Sequence, residues 1–332
     1  MVTLNIAYTF DQNYIMQTGV SIYSLLSNND GKNIHFYLIH PKNMPEDIEN
    51  LHRTIQSFDS TFSTLYTDDF DALLDGLNVL TYYGNRTVYY RLFLANVLPQ
   101  IDRLLFLDGD TIIKDDISPL YHTDLEGNVL GMCYDSNSLE VKYAFGMDAD
   151  DHYFNAGVIL YDLEKYRTIF DIDTTIEAIR TVCAESIMPD QDLINLQFRG
   201  QIKTLDLRYN YQPIHILFDS NVYLNYFKTG YYSKEELDDA YNHSVILHSL
   251  RIFGDRPWDY NSLHPHQKIF CEYKNRTLWS EYTIQKKKKK TVHIMEYNLY
   301  KILPKKLFFY IFYKIHKYSI LQTINKSKAS EK

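Results

Sequence analysis

Cysteine, long apolar runs and internal repeats are scarce or missing in this chain of 332 residues. Its three cysteines, Cys133, Cys183 and Cys271, lie far apart and form no C-x-x-C pair, which argues against a disulfide framework and a zinc knuckle alike. No stretch approaches the ~18 apolar residues of a spanning helix. The residues after Met1 lack a basic segment leading into an apolar one, so no secretory signal is expected. These absences predict a soluble, cytoplasmic protein. Aromatic residues are plentiful instead: 30 Tyr and 18 Phe within a 45% hydrophobic composition argue against disorder and can supply a large core.

The net charge of −8 hides a division. Residues 285–332 hold 13 of the 34 basic residues and 2 of the 42 acidic ones, a surplus of 11 positive charges. The remainder keeps 21 basic and 40 acidic residues, a net −19. An acidic body repels nucleic acid, whereas the basic end invites an anionic surface. We therefore divide the chain into a body, 1–284, and a tail, 285–332, at the lysine run Lys286–Lys290.

In the body, strand-like and helix-like segments alternate. Leu4–Thr9, Ile34–Ile39, Thr61–Tyr66 and Arg103–Leu107 read as strands, with helical spacing in Tyr14–Leu26, in the segment opened by Pro45, and in Val88–Leu98. Further on, Val129–Tyr134 and Val158–Tyr161 read as strands and Thr174–Cys183 as a helix. This alternation predicts an α/β fold with a mostly parallel sheet, in which ligands bind beyond the carboxyl ends of the strands.

Four constellations stand out. The first is Arg103-Leu-Leu-Phe-Leu-Asp108-Gly109-Asp110, an apolar strand ending in two carboxylates. Positions i and i+2 of an extended segment project to one side, so both can reach a hard divalent ion such as Mg²⁺ or Mn²⁺, and Gly109 leaves room for a ligand. A polar turn capping a strand is the plainer reading of a bare D-x-D. The second, Tyr153-Phe-Asn155-Ala156-Gly157-Val158, runs from an amide through small residues into a strand. It equally suits a simple turn. The third, Pro189-Asp190-Gln191-Asp192, opens a helix, with Asp190 as candidate N-cap and Asp192 in the first turn. The fourth is His248 at the end of an apolar strand, followed by Gly254-Asp-Arg256-Pro-Trp258. A satisfied buried histidine would look the same.

Taken in order, with Thr9, Asp11 and Asn13 of the first strand-to-helix turn and Tyr90-Arg91-Leu92, these motifs resemble glycosyltransferase family 8, the retaining nucleotide-sugar transferases that include bacterial lipopolysaccharide galactosyl- and glucosyltransferases. The resemblance spans roughly residues 3–282. It implies a GT-A type fold, with a Rossmann-like mixed sheet flanked by helices and the tail as a basic, aromatic helical addition. It implies that Asp108, Asp110 and His248 bind Mn²⁺, with Mg²⁺ as the alternative. Thr9, Asp11 and Asn13 would contact the nucleoside of a UDP-sugar. Arg91, Asn155, Ala156, Asp190 and Gln191 would surround the donor sugar, and Gly254 and Arg256 would contact the diphosphate with Gly109 close by. Arg256 stands where the family usually has lysine, which keeps the charge.

Retention through a covalent intermediate would need a carboxylate nucleophile. The resemblance instead places the amide of Gln191 beside the anomeric carbon. A same-face substitution is therefore expected, with Gln191 and Asp190 stabilising an oxocarbenium-like state. The expected activity is transfer of glucose or galactose from UDP-glucose or UDP-galactose to a glycan or glycolipid acceptor. A glycogenin-like self-glucosylating protein and a catalytically silent sugar- or nucleotide-binding module are the alternatives.

In the tail, Leu307–Tyr313 is an apolar run flanked by lysines, too short to span a bilayer but suited to an anionic membrane interface. The expected location is thus peripheral, on the inner face of the cell membrane. A helix docked on the body or a dimer contact would also account for the run.

Overall fold

A computed structural model describes residues 2–77, 79, 86–135, 139–182, 188–227, 231–282 and 289–330. Its strands are β1 (Leu4–Thr9), β2 (Ile34–His40), β3 (Thr61–Tyr66), β4 (Arg103–Leu107), β5 (Thr111–Ile113), β6 (Leu130–Tyr134), β7 (Phe154–Asp162), β8 (Ile202–Thr204) and β9 (Ile246–His248). Seven of them form one sheet of order β3-β2-β1-β4-β7-β6-β8, and β5 pairs with β9 in a second, two-stranded sheet. The central strands are covered on both faces, which is why they read as nearly unbroken apolar runs; Leu104, Leu105, Phe106 and Leu107 are fully buried.

β1, β2, β3 and β4 run parallel. Chain order runs outward from β1 to β3 and restarts on the other side at β4, so the topological switch point lies between β1 and β4. Their carboxyl ends carry Thr9–Asp11 on one side and Asp108 on the other.

The sheet is mostly parallel, as strand–helix alternation predicted, and mixed through one reversed strand, as the family resemblance implied. β7 is antiparallel to both neighbours, because the link from β6 returns on the side where it left. This reversal has a use: the start of β7 lies beside the end of β4, with Val158 opposite Leu107 and the Asp108 amide donating to the Gly157 carbonyl at 2.8 Å.

Most helices fall where helical spacing places them, for instance Ile15–Ser27, Asp47–Gln56 and Ile172–Val182. Cys183, expected at the end of the last of these, lies outside the described residues. Val88–Leu98 is different. It forms a 3₁₀ helix, Thr87–Phe93, followed by one short α-helical turn, Leu94–Val97. Tyr89, Tyr90, Arg91, Leu92 and Phe93 are all buried. A segment enclosed on every side is shaped by its neighbours rather than by a helical stripe.

The tail forms two helices, Thr291–Ile302 and Lys305–Ser330, with Leu303 extended ahead of Pro304 as a residue before proline prefers. Phe308 and Phe309 are buried against the body, their rings 6.1 and 4.5 Å from that of Phe218. Lys289 reaches the Asp255 carboxylate at 2.5 Å, while Lys286–Lys288 lie outside the described residues. No helix among the described residues is long and apolar enough to cross a membrane. Cys133 and Cys271 are free thiols.

Candidate active site

The switch point and the two-stranded sheet together assemble a site from distant segments. β4 delivers Asp108, and the turn after it delivers Asp110. β5 then pairs antiparallel with β9 so that Thr111 faces His248. The turn is held from beneath: Thr111 Oγ1 lies 2.8 Å from Ser21 Oγ, which lies 3.0 Å from the Tyr8 hydroxyl. The room that Gly109 opens is taken by the protein rather than left for a ligand. A Cβ there would lie 2.4 Å from Thr18 Oγ1, so the glycine lets the turn rest on the Ile15–Ser27 helix.

Asp108, Asp110 and His248 converge, each offering one ligand atom within 4.8 Å of the others. His248 Nε2 lies 3.2 Å from Asp110 Oδ1 and 3.8 Å from Asp108 Oδ2. It is buried and makes no well-directed hydrogen bond. Its other nitrogen, Nδ1, lies 2.9 Å from Asn210 Oδ1. An amide oxygen can only accept, so Nδ1 carries a proton and Nε2 is the nitrogen that faces the carboxylates, the atom whose lone pair a cation would take in place of a proton. Asn210 in turn donates to Asn155 Oδ1 at 2.9 Å. The ring also needs Gly157, since a Cβ there would sit 2.1 Å from its Cε1.

Electrostatics at this end are set by mutual charge. Burial would raise the Asp110 carboxyl, but His248 and Arg256 outweigh it and hold the group well below the usual carboxylate range. Burial would lower His248, and Asp110 and Asp108 reverse that too, raising it above its ordinary value. Arg256 donates to Asp110 and to the Ser249 carbonyl, so a guanidinium supplies the positive partner Asp110 requires. Two carboxylates and an imidazole lone pair, one carboxylate already matched to a positive charge, fit a divalent cation of Mn²⁺ or Mg²⁺ type.

The second end is built around Arg91. Its guanidinium is buried, donates to the Ala156 carbonyl, reaches Asp108 at 2.9 Å and lies 3.1 Å from Asp190. It rests 4.5 Å above the Phe106 ring. Asp190 is not the N-cap that the sequence suggested. Met188 holds that position in the Pro189–Gln197 helix, and it is Asp192 whose carboxylate accepts from the Met188 amide. Asp190 points inward instead; burial raises its carboxyl although Arg91 pulls the other way.

Gln191 is fixed on both sides. Its Oε1 accepts from the Ala156 amide at 3.0 Å and from Asn155 Nδ2 at 3.3 Å. Its Nε2 donates to Asp135 at 2.9 Å and to the Tyr153 hydroxyl at 3.2 Å.

Arg91, Asp108, Asp110, Asn155, Ala156, Asp190, Gln191, His248 and Arg256 thus come together. Thr9, Asp11 and Asn13 close the neighbouring β1 end. Asp11 accepts from the Asn13 and Tyr14 amides, and Thr9 Oγ1 is buried without a hydrogen-bond partner. Tyr14 links this turn to the rest, its ring 5.8 Å from Trp258 and its hydroxyl pushed up to about 12 by burial. Gly254 has a different neighbour: its φ is +73°, and a Cβ would lie 2.2 Å from His293 of the tail. Sequence reasoning missed Asn210 and Asp135, which sit in no motif, and gave Gly157 no role although it lies within one.

The family model for glycosyl transferase family 8 matches residues 5–262. The chain belongs to this family. A lipopolysaccharide 1,2-glucosyltransferase of Escherichia coli K12 is 28% identical over 292 residues, 84% of this chain and 79% of the relative. General stress protein A of Bacillus subtilis is 23% identical, covering 83% of this chain and 95% of its own. Among solved structures, the galactosyltransferase LgtC in complex with donor and acceptor sugar analogues superposes with a TM-score of 0.67 at 23% identity, over 83% of this chain and 96% of that one. The fold is therefore of GT-A type, and this family 8 glycosyltransferase is related to lipopolysaccharide glucosyl- and galactosyltransferases.

Proposed function

We propose that this family 8 glycosyltransferase is a retaining hexosyltransferase that moves glucose or galactose from a UDP-sugar to a glycan acceptor, such as lipopolysaccharide, capsule or another lipid-linked glycan. The observation that carries this reading is the convergence of Asp108, Asp110 and His248 beside the Arg91–Asp190 pair and a doubly anchored Gln191.

Asp108, Asp110 and His248 would hold Mn²⁺, whose borderline character suits the imidazole; bound there, it supplies Lewis-acid neutralisation of the diphosphate. Arg256 adds a second positive charge on the same side. Thr9, Asp11 and Asn13 flank the nucleoside.

Gln191 cannot swing, because both ends of its amide are tied. It presents fixed dipoles rather than a nucleophile. Asp190, buried beside Arg91, contributes a compensated negative charge next to the anomeric centre. The bond from C1 to the phosphate oxygen breaks, the acceptor oxygen bonds to C1 from the same face, and the departing phosphate oxygen takes the acceptor's proton. A glycosylated Asp190 in a trapped intermediate would overturn this route.

We further assign 1–284 as the transferase body and 285–332 as a membrane-associating tail on the inner face of the cell membrane. Val292, Met295, Leu299 and Ile302, then Leu307, Ile311, Ile315 and Tyr318, recur at helical spacing and stay exposed amid lysines. The acidic body disfavours nucleic acid.

The deciding experiment scores UDP release from UDP-glucose, UDP-galactose and UDP-N-acetylglucosamine, with Mn²⁺ and with chelator. Mn²⁺-dependent release from glucose or galactose donor is expected. No release, together with no UDP binding by calorimetry, would replace the transferase with a silent module.

A further inference from the structure

A cavity of about 340 Å³ opens beside Gln191, within the range of about 300–1,000 Å³ typical of small-molecule sites. Asp135, Tyr153, Gln191 and Arg256 line it from the body. From the tail, Phe312, Tyr313, His316, Lys317 and Ile320 also line it. These positions share a face of the Lys305–Ser330 helix with Phe308 and Phe309, the two side chains that anchor it. Leu307, Ile311, Ile315 and Tyr318 occupy the other face and remain exposed.

The lining is mostly carbon with a few oriented polar groups. The Phe312 and His316 rings are nearly parallel, at 5° and 6.3 Å, and those of Phe145 and Tyr153 lie at 13° and 5.8 Å. Asp135 Oδ2 already accepts from Gln191 Nε2, and the carboxylate has further lone pairs for hydroxyl donors. Lys317 is paired with Glu140 at 2.8 Å, so its charge is answered within the protein. Flat aromatic faces and a carboxylate rim match a neutral hexopyranoside, which has one C–H face and a belt of hydroxyls.

We propose that the Lys305–Ser330 helix is a wall of the acceptor site, with Phe312, Tyr313 and His316 contacting an acceptor hexopyranoside. This rests on the transferase reading, because the cavity earns that role from its place beside Gln191. The tail then does two things at once: it closes the site with one face and leaves the other for a surface outside the protein.

The test is saturation-transfer NMR of methyl glucoside and methyl galactoside with the full chain loaded with UDP and Mn²⁺. Wild type should contact at least one glycoside. Phe312→Ala and His316→Ala should weaken it tenfold or more, and Ile320→Trp, which fills the cavity, should abolish it. Thermal melts confirm that each variant is folded; the anchors Phe308 and Phe309 are left intact. No contact in wild type, or wild-type binding in all three variants, overturns the proposal. So does tighter binding after deletion of 305–332, which would make the helix an obstruction. UDP release from UDP-glucose and UDP-galactose by the same proteins, assayed apart without added UDP, separates the two readings. Release without glycoside contact defeats the wall alone, and contact without release defeats the transferase.

Discussion

His248 and His215 are both buried, at 1% and 8% exposure, yet their imidazoles shift in opposite directions. His215 belongs to the short helix Pro213–Leu217, whose first residues line the cavity. Its Nδ1 has no hydrogen-bond partner, and burial alone drives it down to about 3. His248 meets the same penalty and is raised, because two carboxylates stand beside it. Enclosure by itself therefore keeps an imidazole neutral, and charge persists in this interior only where opposite charge has been assembled. Asp110 and Asp190 repeat the lesson among carboxylates: the first is ringed by positive groups and held low, while the second has only Arg91 and is raised.

The largest effect should come from dismantling the charged end. Asp110→Ala should cut UDP release by about 10³-fold, and a loss under tenfold would mean that this cluster is not central. Next comes its support. Gly157→Ala, which drives a Cβ into the His248 ring, and Asn210→Leu, which removes the acceptor for Nδ1, should each weaken Mn²⁺ binding by about 10–100-fold, read by calorimetry.

The uncompensated imidazole of His215 is tested by pH. The folded-state pKa of His215 lies below its unfolded value near 6.5, so the unfolded chain binds the extra proton across the interval between them. Stability must therefore fall as pH drops below 6.5, by about 2 kcal/mol from this residue between pH 6.5 and 5. Denaturant unfolding at both pH values should show this slope in wild type and a shallower one in His215→Phe.

The smallest effect on the body is expected from the exposed face of the tail. Leu299→Ser with Ile315→Ser should move unfolding by no more than about 0.5 kcal/mol. The same pair should lower binding to phosphatidylserine vesicles, and unchanged binding would remove the membrane from the proposal.

Much of this was legible in the sequence, for physical reasons. β1 and β4 are covered on both faces, so their apolar runs marked their ends to the residue. The D-G-D turn was visible because carboxylates after such a run are conspicuous. Other features depend on partners that local pattern does not encode. The pairing that brings His248 to Asp110 belongs to two three-residue strands, too short for a period to register. Asn210 acts through hydrogen bonds to His248 and Asn155, both far off in sequence, and sits in an unremarkable Tyr-Asn-Tyr. Leu307–Tyr313 is apolar all round, so only the docked structure divides it, with Phe308 and Phe309 inward and Leu307, Tyr310 and Ile311 outward.

The ladder between β5 and β9 also fixes an order of events. Asp108 and Asp110 are made early and follow directly on β4, which pairs with β1. The imidazole that completes their set leaves the ribosome only after most of the body has been synthesised, and must be captured across a long loop. An N-terminal fragment that retains the D-G-D turn thus lacks the imidazole side of the cluster. The three-residue cluster is completed only when nearly all of the body exists, so a finished cluster attests to a nearly finished body.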